Sequence, residues 1–298
     1  MQIKANGITL EVEDHGDPAN PALILVRGLG SQLIHWPANF VEGFVAAGFR
    51  CVTFDNRDVG RSQRCPAPGV PAQADDIAAR SVAGEDIAPA YTLDDMAADV
   101  IGLMDALDIP RAHVFGISMG GAIVQILAIN HPDRLLTDTI VMTACRPLLE
   151  RSHRAELLPR LLVQPETEAQ AQDNWVEGHA SFGSPGFPMP EVDIRAEARL
   201  AWARGGDPDT AADGINRQVL ATMAAGDRRA QLADVITPCL VIHGVDDALI
   251  PVEFGAEIAA HIPGSTYHPL NGMGHIITPL LAPQIVALVT DFIRCQPA

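Results

Sequence analysis

The chain has 298 residues, of which 48% are hydrophobic, and its formal net charge is −17 at pH 7. A chain of this length and hydrophobicity can bury a large core, which excludes an intrinsically disordered protein. Its strong negative charge repels phosphate backbones and anionic lipids, so we expect neither nucleic acid nor a membrane surface as a partner.

The cysteines and the amino-terminal segment bear on the cellular compartment. The five cysteines are an odd number without C-x-x-C spacing, which is typical of reduced thiols. The opening segment "MQIKANGITLEVEDHG" alternates and carries charge early, unlike a signal peptide. No run approaches the roughly 18 apolar residues of a membrane span. We therefore expect a cytoplasmic protein.

Strand patterns dominate the first 60 residues. The alternating halves of "IKANGITLEVED" meet at a glycine and predict a hairpin, and the apolar "PALILVRG" predicts a strand buried on both faces. A helix pattern, "WPANFVEGFVAAGF", closes at Gly48. The next run, "RCVTFDNRDVGRS", indicates a strand that leads into a polar loop, which we interpret as scaffold near a site.

The middle of the chain alternates between helices and strands. Residues 65–90 have no clean period and are predicted to be loop. The segment "YTLDDMAADVIGLMDALDI" predicts a helix, with Thr92 as its cap and Asp95 three residues on. The strand "AHVFGI", the helix "SMGGAIVQILAINHP" and the strand "TDTIVMTA" follow.

From about residue 146 to 232 the strand patterns disappear. Three helix patterns stand there, with the break "GSPGFPMP" among them: "PLLERSHRAELLPRLLVQ", "EAQAQDNWVEGHASF" and "EVDIRAEARLAWARGG". The strands "PCLVIHG" and "STYHPL" then return, with helices after them. This order predicts an α/β fold whose mostly parallel sheet has helices on both faces. We divide the chain into a core domain, 1–145 and 233–298, and a helical cap inserted at 146–232.

The segment "FGISMGG" places Ser118 between Gly116 and Gly120, where a strand meets a helix. Ligands bind at the carboxyl ends of parallel strands, and the G-x-S-x-G pattern there is typical of a nucleophile on a sharp turn. The alternative is a tight turn that merely requires small residues. A serine nucleophile needs a base and an orienting acid.

Two later strand ends supply those partners. "VIHGVDDALIP" offers Asp246 and Asp247, and "LNGMGH" offers His275 in a glycine-rich loop. The order Ser118, Asp247, His275 is the order found on hydrolases that carry a nucleophile elbow. The plain alternatives are a surface carboxylate and a loop histidine bonded to backbone.

Five motifs in order carry a resemblance over nearly the whole chain: "LVRGLG", "DNRDVGRS", "FGISMGG", "HGVDDALIP" and "GMGH". The chain resembles the α/β-hydrolase fold superfamily, which implies an eight-stranded, mostly parallel sheet with a helical cap insertion. The family pattern G-x-x-D-x-x-x-P matches Gly244, Asp247 and Pro251, which favours Asp247 over Asp246.

An oxyanion hole needs two backbone N–H groups aimed at one point. Met119, directly after the nucleophile, supplies one, and the resemblance implies Leu29 for the other. The common pattern has a histidine before the glycine of this loop, whereas this chain has Arg27. We expect Arg27 to pair with an acid such as Asp55 at the end of the neighbouring strand.

Three tryptophans are candidates for a substrate pocket, although each alone is better explained by ordinary packing: Trp36, Trp175 and Trp202. The histidines lack H-x-x-x-H or H-E-x-x-H spacing, so we expect no metal. The glycine spacing of "GISMGG" is wrong for a dinucleotide fingerprint, and ester hydrolysis needs no cofactor.

The serine at the elbow disfavours the dehalogenases and epoxide hydrolases of this fold, which carry aspartate there. The chain resembles most the aclacinomycin methylesterase-type esterases, which remove a methyl ester from a polyketide. We therefore predict a carboxylesterase with a small-molecule ester substrate, and leave a homodimer open. The alternatives are a carbon–carbon bond hydrolase or a perhydrolase on the same triad, or a small-molecule receptor with slow turnover.

Overall fold

An eight-stranded sheet lies at the centre of this computed structural model, which describes residues 1–85, 87–147, 165–206 and 208–296. Its spatial order is β1-β2-β4-β3-β5-β6-β7-β8, with β2 antiparallel to β1 and β4 and all other neighbours parallel. The predicted α/β fold is confirmed. The strands are β1 (Gln2–Ala5), β2 (Ile8–His15), β3 (Ala22–Val26), β4 (Arg50–Phe54), β5 (Ala112–Ile117), β6 (Leu135–Val141), β7 (Cys239–Gly244) and β8 (Thr266–Leu270).

Helices lie between and beyond these strands. They are α1 (Ala38–Ala46), α2 (Ala74–Val82), α3 (Leu93–Ala106), α4 (Met119–Asn130), α5 (Glu168–Phe182), α6 (Glu191–Gly205), α7 (Pro208–Ala224), α8 (Arg229–Leu232), α9 (Glu253–His261) and α10 (Ala282–Arg294). Short 3₁₀ turns cover Leu33–His35 and Pro132–Arg134. Within the described ranges, no helix is long and apolar enough to cross a lipid bilayer.

The central strands are buried at every residue because helices cover both faces of the sheet. Along β3, Ile24 belongs to the cluster that α3 and α4 complete, whereas Leu23 and Leu25 belong to the cluster that α1 and α10 complete. This alternation follows from the two-residue period of a strand. The unbroken apolar run "ALILV" therefore contributes side chains to the hydrophobic clusters on both faces of the sheet.

The start of α3 has the predicted cap. The Thr92 side chain accepts a hydrogen bond from the Asp95 N–H at 3.2 Å, and the Asp95 carboxylate accepts one from the Thr92 N–H at 2.8 Å. Two of the N–H groups that a helix start leaves unpaired are thereby satisfied.

The prediction of loop over residues 65–90 is wrong in part, because α2 occupies Ala74–Val82. Among residues 74–80 of this helix, only Ile77 is fully buried, against Val219 and Leu220 of α7. A stretch with so few buried apolar positions shows no clear helical period in the sequence.

Four of the described helices, α5, α6, α7 and the one-turn α8, lie between β6 and β7. The first two have the predicted bounds to within one residue, whereas α7 was not predicted. The helix predicted over 147–164 falls on residues outside the described ranges, apart from Pro147. Buried ion pairs join this helical block to the loop after β4: Arg204 to Asp55 at 3.1 Å and Arg217 to Asp58 at 2.6 Å.

Candidate active site

Ser118 stands at the turn between β5 and α4, with φ 53° and ψ −123°. A positive φ is costly for a residue with a side chain and persists only where the surrounding structure imposes it. The two neighbouring glycines make the turn possible. A Cβ on Gly116 would lie 2.3 Å from the Gly120 carbonyl oxygen, and one on Gly120 would lie 2.2 Å from the Val26 carbonyl oxygen.

Ser118, His275 and Asp247 form one hydrogen-bonded chain. The Ser118 Oγ lies 3.0 Å from His275 Nε2, and His275 Nδ1 lies 2.7 Å from Asp247 Oδ2. These side chains come from the ends of β5, β7 and β8, which are remote in sequence but meet at one edge of the sheet. The structure thus brings together the three residues that the sequence order indicated.

The two adjacent aspartates have different partners. The other oxygen of Asp247, Oδ1, accepts hydrogen bonds from the Leu249 and Ile250 N–H groups at 2.9 and 2.8 Å. Asp246 instead accepts the Gly272 N–H at 2.7 Å. Asp247 is therefore the carboxylate that can orient His275, while Asp246 ties its own turn to the loop before His275.

His243, near the end of β7, is a neighbour of the triad that the sequence did not single out. It is fully buried, its Nε2 donates to the Ile250 carbonyl at 2.8 Å, and the same atom lies 3.6 Å from Asp247 Oδ2. Burial lowers the pKa of His243, so the ring is neutral at pH 7. It supports the turn that presents Asp247. In the sequence, its position four residues before Asp247 is the feature that could have indicated His243 as a neighbour of the triad.

The loop after β3 passes close to the serine. A Cβ on Gly28 would lie 3.1 Å from the Ser118 Cβ, which explains the glycine and sets Leu29 beside the site. The loop is fixed by Asn56, whose Nδ2 donates to the Arg27 carbonyl at 3.0 Å, and by Gln218, whose Oε1 accepts the Gly30 N–H at 2.8 Å.

Met119 and Leu29, whose amides are predicted to form the oxyanion hole, directly follow Ser118 and Gly28 in the chain, and the hole itself stays a prediction. Met119 is the first residue of α4, so its N–H has no acceptor within the helix. Gln218, on α7, is a further residue near the site that the sequence did not indicate. Because α7 itself was not predicted, no local signal pointed to this glutamine.

The expected pairing of Arg27 with Asp55 is wrong. The Asp55 carboxylate accepts the N–H groups of Leu33 and Arg61 at 2.7 and 2.9 Å and pairs with Arg204. Arg27 instead donates to the His35 carbonyl at 3.2 Å, and its guanidinium lies 4.5 Å from the centre of the Trp36 ring. Burial lowers the pKa of Arg27 to about 10, so it stays charged at pH 7.

The motif "DNRDVGRS" lies on the loop after β4, where it makes buried contacts. Gly60 has φ 55°, and a Cβ there would lie 2.1 Å from Asp55 Oδ2. Arg57 makes two hydrogen bonds of 2.6 Å to the buried Asp99 of α3. These contacts support the interpretation of this motif as scaffold.

The three candidate pocket tryptophans occupy different surroundings. Trp36 is 4% exposed and stacks on Phe40, with ring centres 5.2 Å apart. Trp175, on α5, is half-buried with its ring 4.7 Å from that of His35, and Trp202 is half-buried on α6. Trp36 packs as a core residue would, and a role of any of the three in substrate binding stays a prediction.

Comparison with known proteins identifies the family of the chain. The family described as alpha/beta hydrolase fold matches residues 21–279. Rhodomycin D methylesterase DnrP of Streptomyces peucetius is 30% identical over 290 residues, which cover 91% of this chain and 90% of that protein. This match confirms the resemblance to methylesterases that the motifs indicated.

Solved structures show the same architecture. An enol-lactonase from Burkholderia xenovorans LB400 superposes with a TM-score of 0.76 and 26% identity, covering 99% of this chain and all of its own. A meta-cleavage product hydrolase from Pseudomonas fluorescens IP01 has a TM-score of 0.73 at 18% identity, covers 99% of this chain and 97% of its own, and shares the fold alone. The chain therefore belongs to the α/β-hydrolase family.

Proposed function

We propose that the protein is a serine hydrolase that cleaves a carboxylic ester through an acyl-enzyme. The observation that carries this proposal is the chain of hydrogen bonds from Ser118 Oγ through His275 to Asp247, at 3.0 and 2.7 Å. A serine hydroxyl is a weak nucleophile alone, and this arrangement is the one that activates it.

In the proposed mechanism, Ser118 Oγ attacks the ester carbonyl carbon while His275 Nε2 accepts the hydroxyl proton. The His275 Nδ1–H donates to Asp247, whose negative charge stabilises the imidazolium that forms. The N–H groups of Leu29 and Met119 donate to the oxyanion of the tetrahedral intermediate. Collapse of that intermediate releases the alcohol, which takes its proton from His275.

Water then completes the cycle. His275 removes a proton from a water molecule that attacks the acyl-enzyme, and a second tetrahedral intermediate collapses to the free acid and Ser118. Every proton in this scheme moves through His275.

We propose that helices α5, α6 and α7 act as a cap. They would cover the site from the side of Gly30 and the loop after β4.

The relatives support an ester as the substrate. One is named a methylesterase and another an enol-lactonase, and both names denote hydrolysis at an ester carbonyl. Methyl esters of a bulky acid are therefore the first substrates to test. The neighbour named as a meta-cleavage product hydrolase shares only the fold, so it does not favour carbon–carbon cleavage here.

The test combines labelling with turnover. We expect a fluorophosphonate to modify Ser118 alone, as shown by peptide mapping in a mass spectrometer, and methyl or p-nitrophenyl esters to be hydrolysed. Ser118→Ala should lose hydrolysis by a factor of roughly 10⁶, as removal of a triad serine does, while keeping its circular dichroism spectrum.

Two results would contradict the proposal. Ester turnover that persists in Ser118→Ala would exclude Ser118 as the nucleophile. Labelling of Ser118 without turnover of any ester would favour a receptor, or a carbon–carbon bond substrate, over an esterase.

A further inference from the structure

The segment 182–187, which runs from the last residue of α5 toward α6, lies directly against the loop that carries His275. Three consecutive residues of that loop, 274–276, make hydrogen bonds to this segment. The Gly274 N–H donates to Ser184 Oγ at 3.0 Å, the His275 N–H donates to the Phe182 carbonyl at 2.7 Å, and the Ser184 hydroxyl donates to the Ile276 carbonyl at 2.6 Å. The backbone is therefore fixed immediately before, at and immediately after the histidine.

The glycines of "GMGH" and of "GSPG" permit this contact. A Cβ on Gly274 would lie 2.1 Å from the Gly183 carbonyl oxygen, and one on Gly186 would lie 2.8 Å from the Gly272 Cα. The Gly186 N–H also donates to the Gly272 carbonyl at 2.9 Å. Two backbones approach each other here more closely than side chains would allow, which accounts for the glycines on both sides.

A second anchor lies just beyond the histidine. The Thr278 hydroxyl donates to the Phe187 carbonyl at 2.8 Å, so both ends of the 182–187 segment are bonded to the loop after β8. Ser184 sits between these anchors and is only 3% exposed, which leaves its hydroxyl no competition from bulk solvent.

We propose that Ser184 is a positioning residue for His275, so that the helical block between β6 and β7 sets the geometry of the base. This inference rests on the proposed function. A hydroxyl can accept one hydrogen bond and donate another at the same time. Ser184 uses both capacities, on backbone groups of the two residues that flank His275. Together with the backbone bond from His275 to Phe182, this side chain then sets the direction of the imidazole toward Ser118 and Asp247.

The role has a catalytic consequence because proton transfer is sensitive to small displacements. A misplacement of about 1 Å can reduce a rate by roughly 100-fold. Without the hydroxyl, the Gly274 N–H and the Ile276 carbonyl lose a shared partner, and the loop can shift relative to Asp247. The ionic contact that stabilises the imidazolium would then weaken.

The test compares Ser184→Ala with two other variants of the full-length protein. Ser184→Cys keeps the shape of the side chain, with a larger sulfur in place of the oxygen, but weakens both hydrogen bonds, because a thiol is a poor donor and acceptor. Ser181→Ala is the matched control, since Ser181 is exposed and lies three residues earlier, in the last turn of α5. Each variant is assayed for kcat and KM, for the pH dependence of kcat/KM and for the rate of fluorophosphonate labelling, after its unfolding midpoint is measured.

We expect Ser184→Ala to lower kcat and the labelling rate roughly 10- to 100-fold, with KM within about twofold, as for a transition-state effect. The pH dependence of kcat/KM should also differ from that of the wild type, because Asp247 then holds the ring of His275 less firmly. Ser184→Cys should show an intermediate loss, and Ser181→Ala none. A purely structural role would change the unfolding midpoint but neither the pH profile nor the labelling rate of the folded protein.

Labelling of folded Ser184→Ala at the wild-type rate would overturn the inference. If that variant does not fold, wild-type rates in Ser184→Cys would overturn it equally. Failure of the wild type itself to be labelled at Ser118 would instead overturn the proposed function, and this inference with it.

Discussion

At the residue scale, the site depends on backbone conformations that few residues adopt. Ser118 has a positive φ and is accommodated only because Gly116 and Gly120 leave room for the turn. The sheet on one side and α4 on the other maintain this strained backbone conformation, which directs the Ser118 hydroxyl toward His275. The same principle applies to the loops that carry His275 and Leu29, where glycines permit close backbone contact.

The adjacent aspartates give a sharp prediction at this scale. In Asp247→Asn, the amide would present N–H groups to His275 Nδ1, so the ring would carry its proton on Nε2 and could no longer act as a base. We expect kcat to fall by roughly 10⁴-fold, as for the equivalent change in other triads. Steady-state kinetics on a p-nitrophenyl ester measure this directly.

The control is Asp246→Asn at the neighbouring position. Its amide oxygen can still accept the Gly272 N–H, so we expect kcat within about threefold of the wild-type value, far from the loss at a triad aspartate. If Asp246→Asn proved the more damaging of the two, the assignment of Asp247 as the orienting acid would be wrong.

At the scale of elements, helices α6 and α7 hold the loops that frame the site. Gln218 bonds to Gly30 on the loop after β3 and, through its Nε2, to the Arg57 carbonyl at 2.8 Å. One residue away, Arg217 makes two hydrogen bonds, of 2.9 and 2.6 Å, to the buried Asp58. The helix thus fixes two loops of the sheet edge through neighbouring side chains.

Removing one member of the Arg217–Asp58 pair should destabilise the protein strongly. In Arg217→Met, the Asp58 carboxylate would remain buried without its counter-ion, so we expect the free energy of unfolding to fall by about 3–5 kcal/mol. Urea denaturation followed by circular dichroism measures the change.

The double variant with Asp58→Asn tests the cause. Asparagine tolerates the positive φ of 71° at this position and carries no charge. It should therefore recover part of the stability lost in Arg217→Met. A double variant that is less stable than Arg217→Met alone would show that the buried charge is not the source of the loss.

At the scale of the whole molecule, the core contains a buried carboxyl group whose surroundings disfavour its charged form. Asp138 of β6 is 0% exposed, and neither of its oxygens accepts an N–H or O–H from the described residues. The Cys239 thiol of the neighbouring strand lies beside it. Burial raises the pKa of Asp138 to about 7, because the charged form cannot be solvated there.

This carboxyl should make stability depend on pH. In the unfolded chain an aspartate ionises near pH 4, roughly three units lower. Between those values the unfolded state releases a proton that the folded state keeps, so stability falls as the pH rises from about 4 to about 7 and then levels off. At roughly 1.4 kcal/mol for each unit, the loss is on the order of 4 kcal/mol.

Comparison with Asp138→Asn isolates this contribution from the other titrating groups. We expect the variant to be similar to the wild type near pH 4 and more stable above pH 7, by urea denaturation across this range. Asp133→Asn, on the exposed turn at 132–134, serves as the control. A difference between Asp138→Asn and the wild type that stays constant with pH would contradict the prediction.

The sequence by itself determined the order of strands and helices, the sharp turn at Ser118, and the three residues of the hydrogen-bonded chain. These features depend on short-range periodicity, on the glycines beside the serine, and on motifs at strand ends, all of which are local in the chain. The sequence did not predict α2, where Ile77 is the only fully buried residue among 74–80, or α7, which carries no clear helix pattern.

Only the tertiary structure decided which distant groups meet. Gly30 and Gln218 are 188 positions apart, and Gly274 and Ser184 are 90 apart, so no local pattern links them. Arg27 likewise bonds to His35 rather than Asp55, because Leu33, Arg61 and Arg204 already occupy that carboxylate. Buried polar groups take the partners that packing brings within reach, and packing is a property of the whole fold.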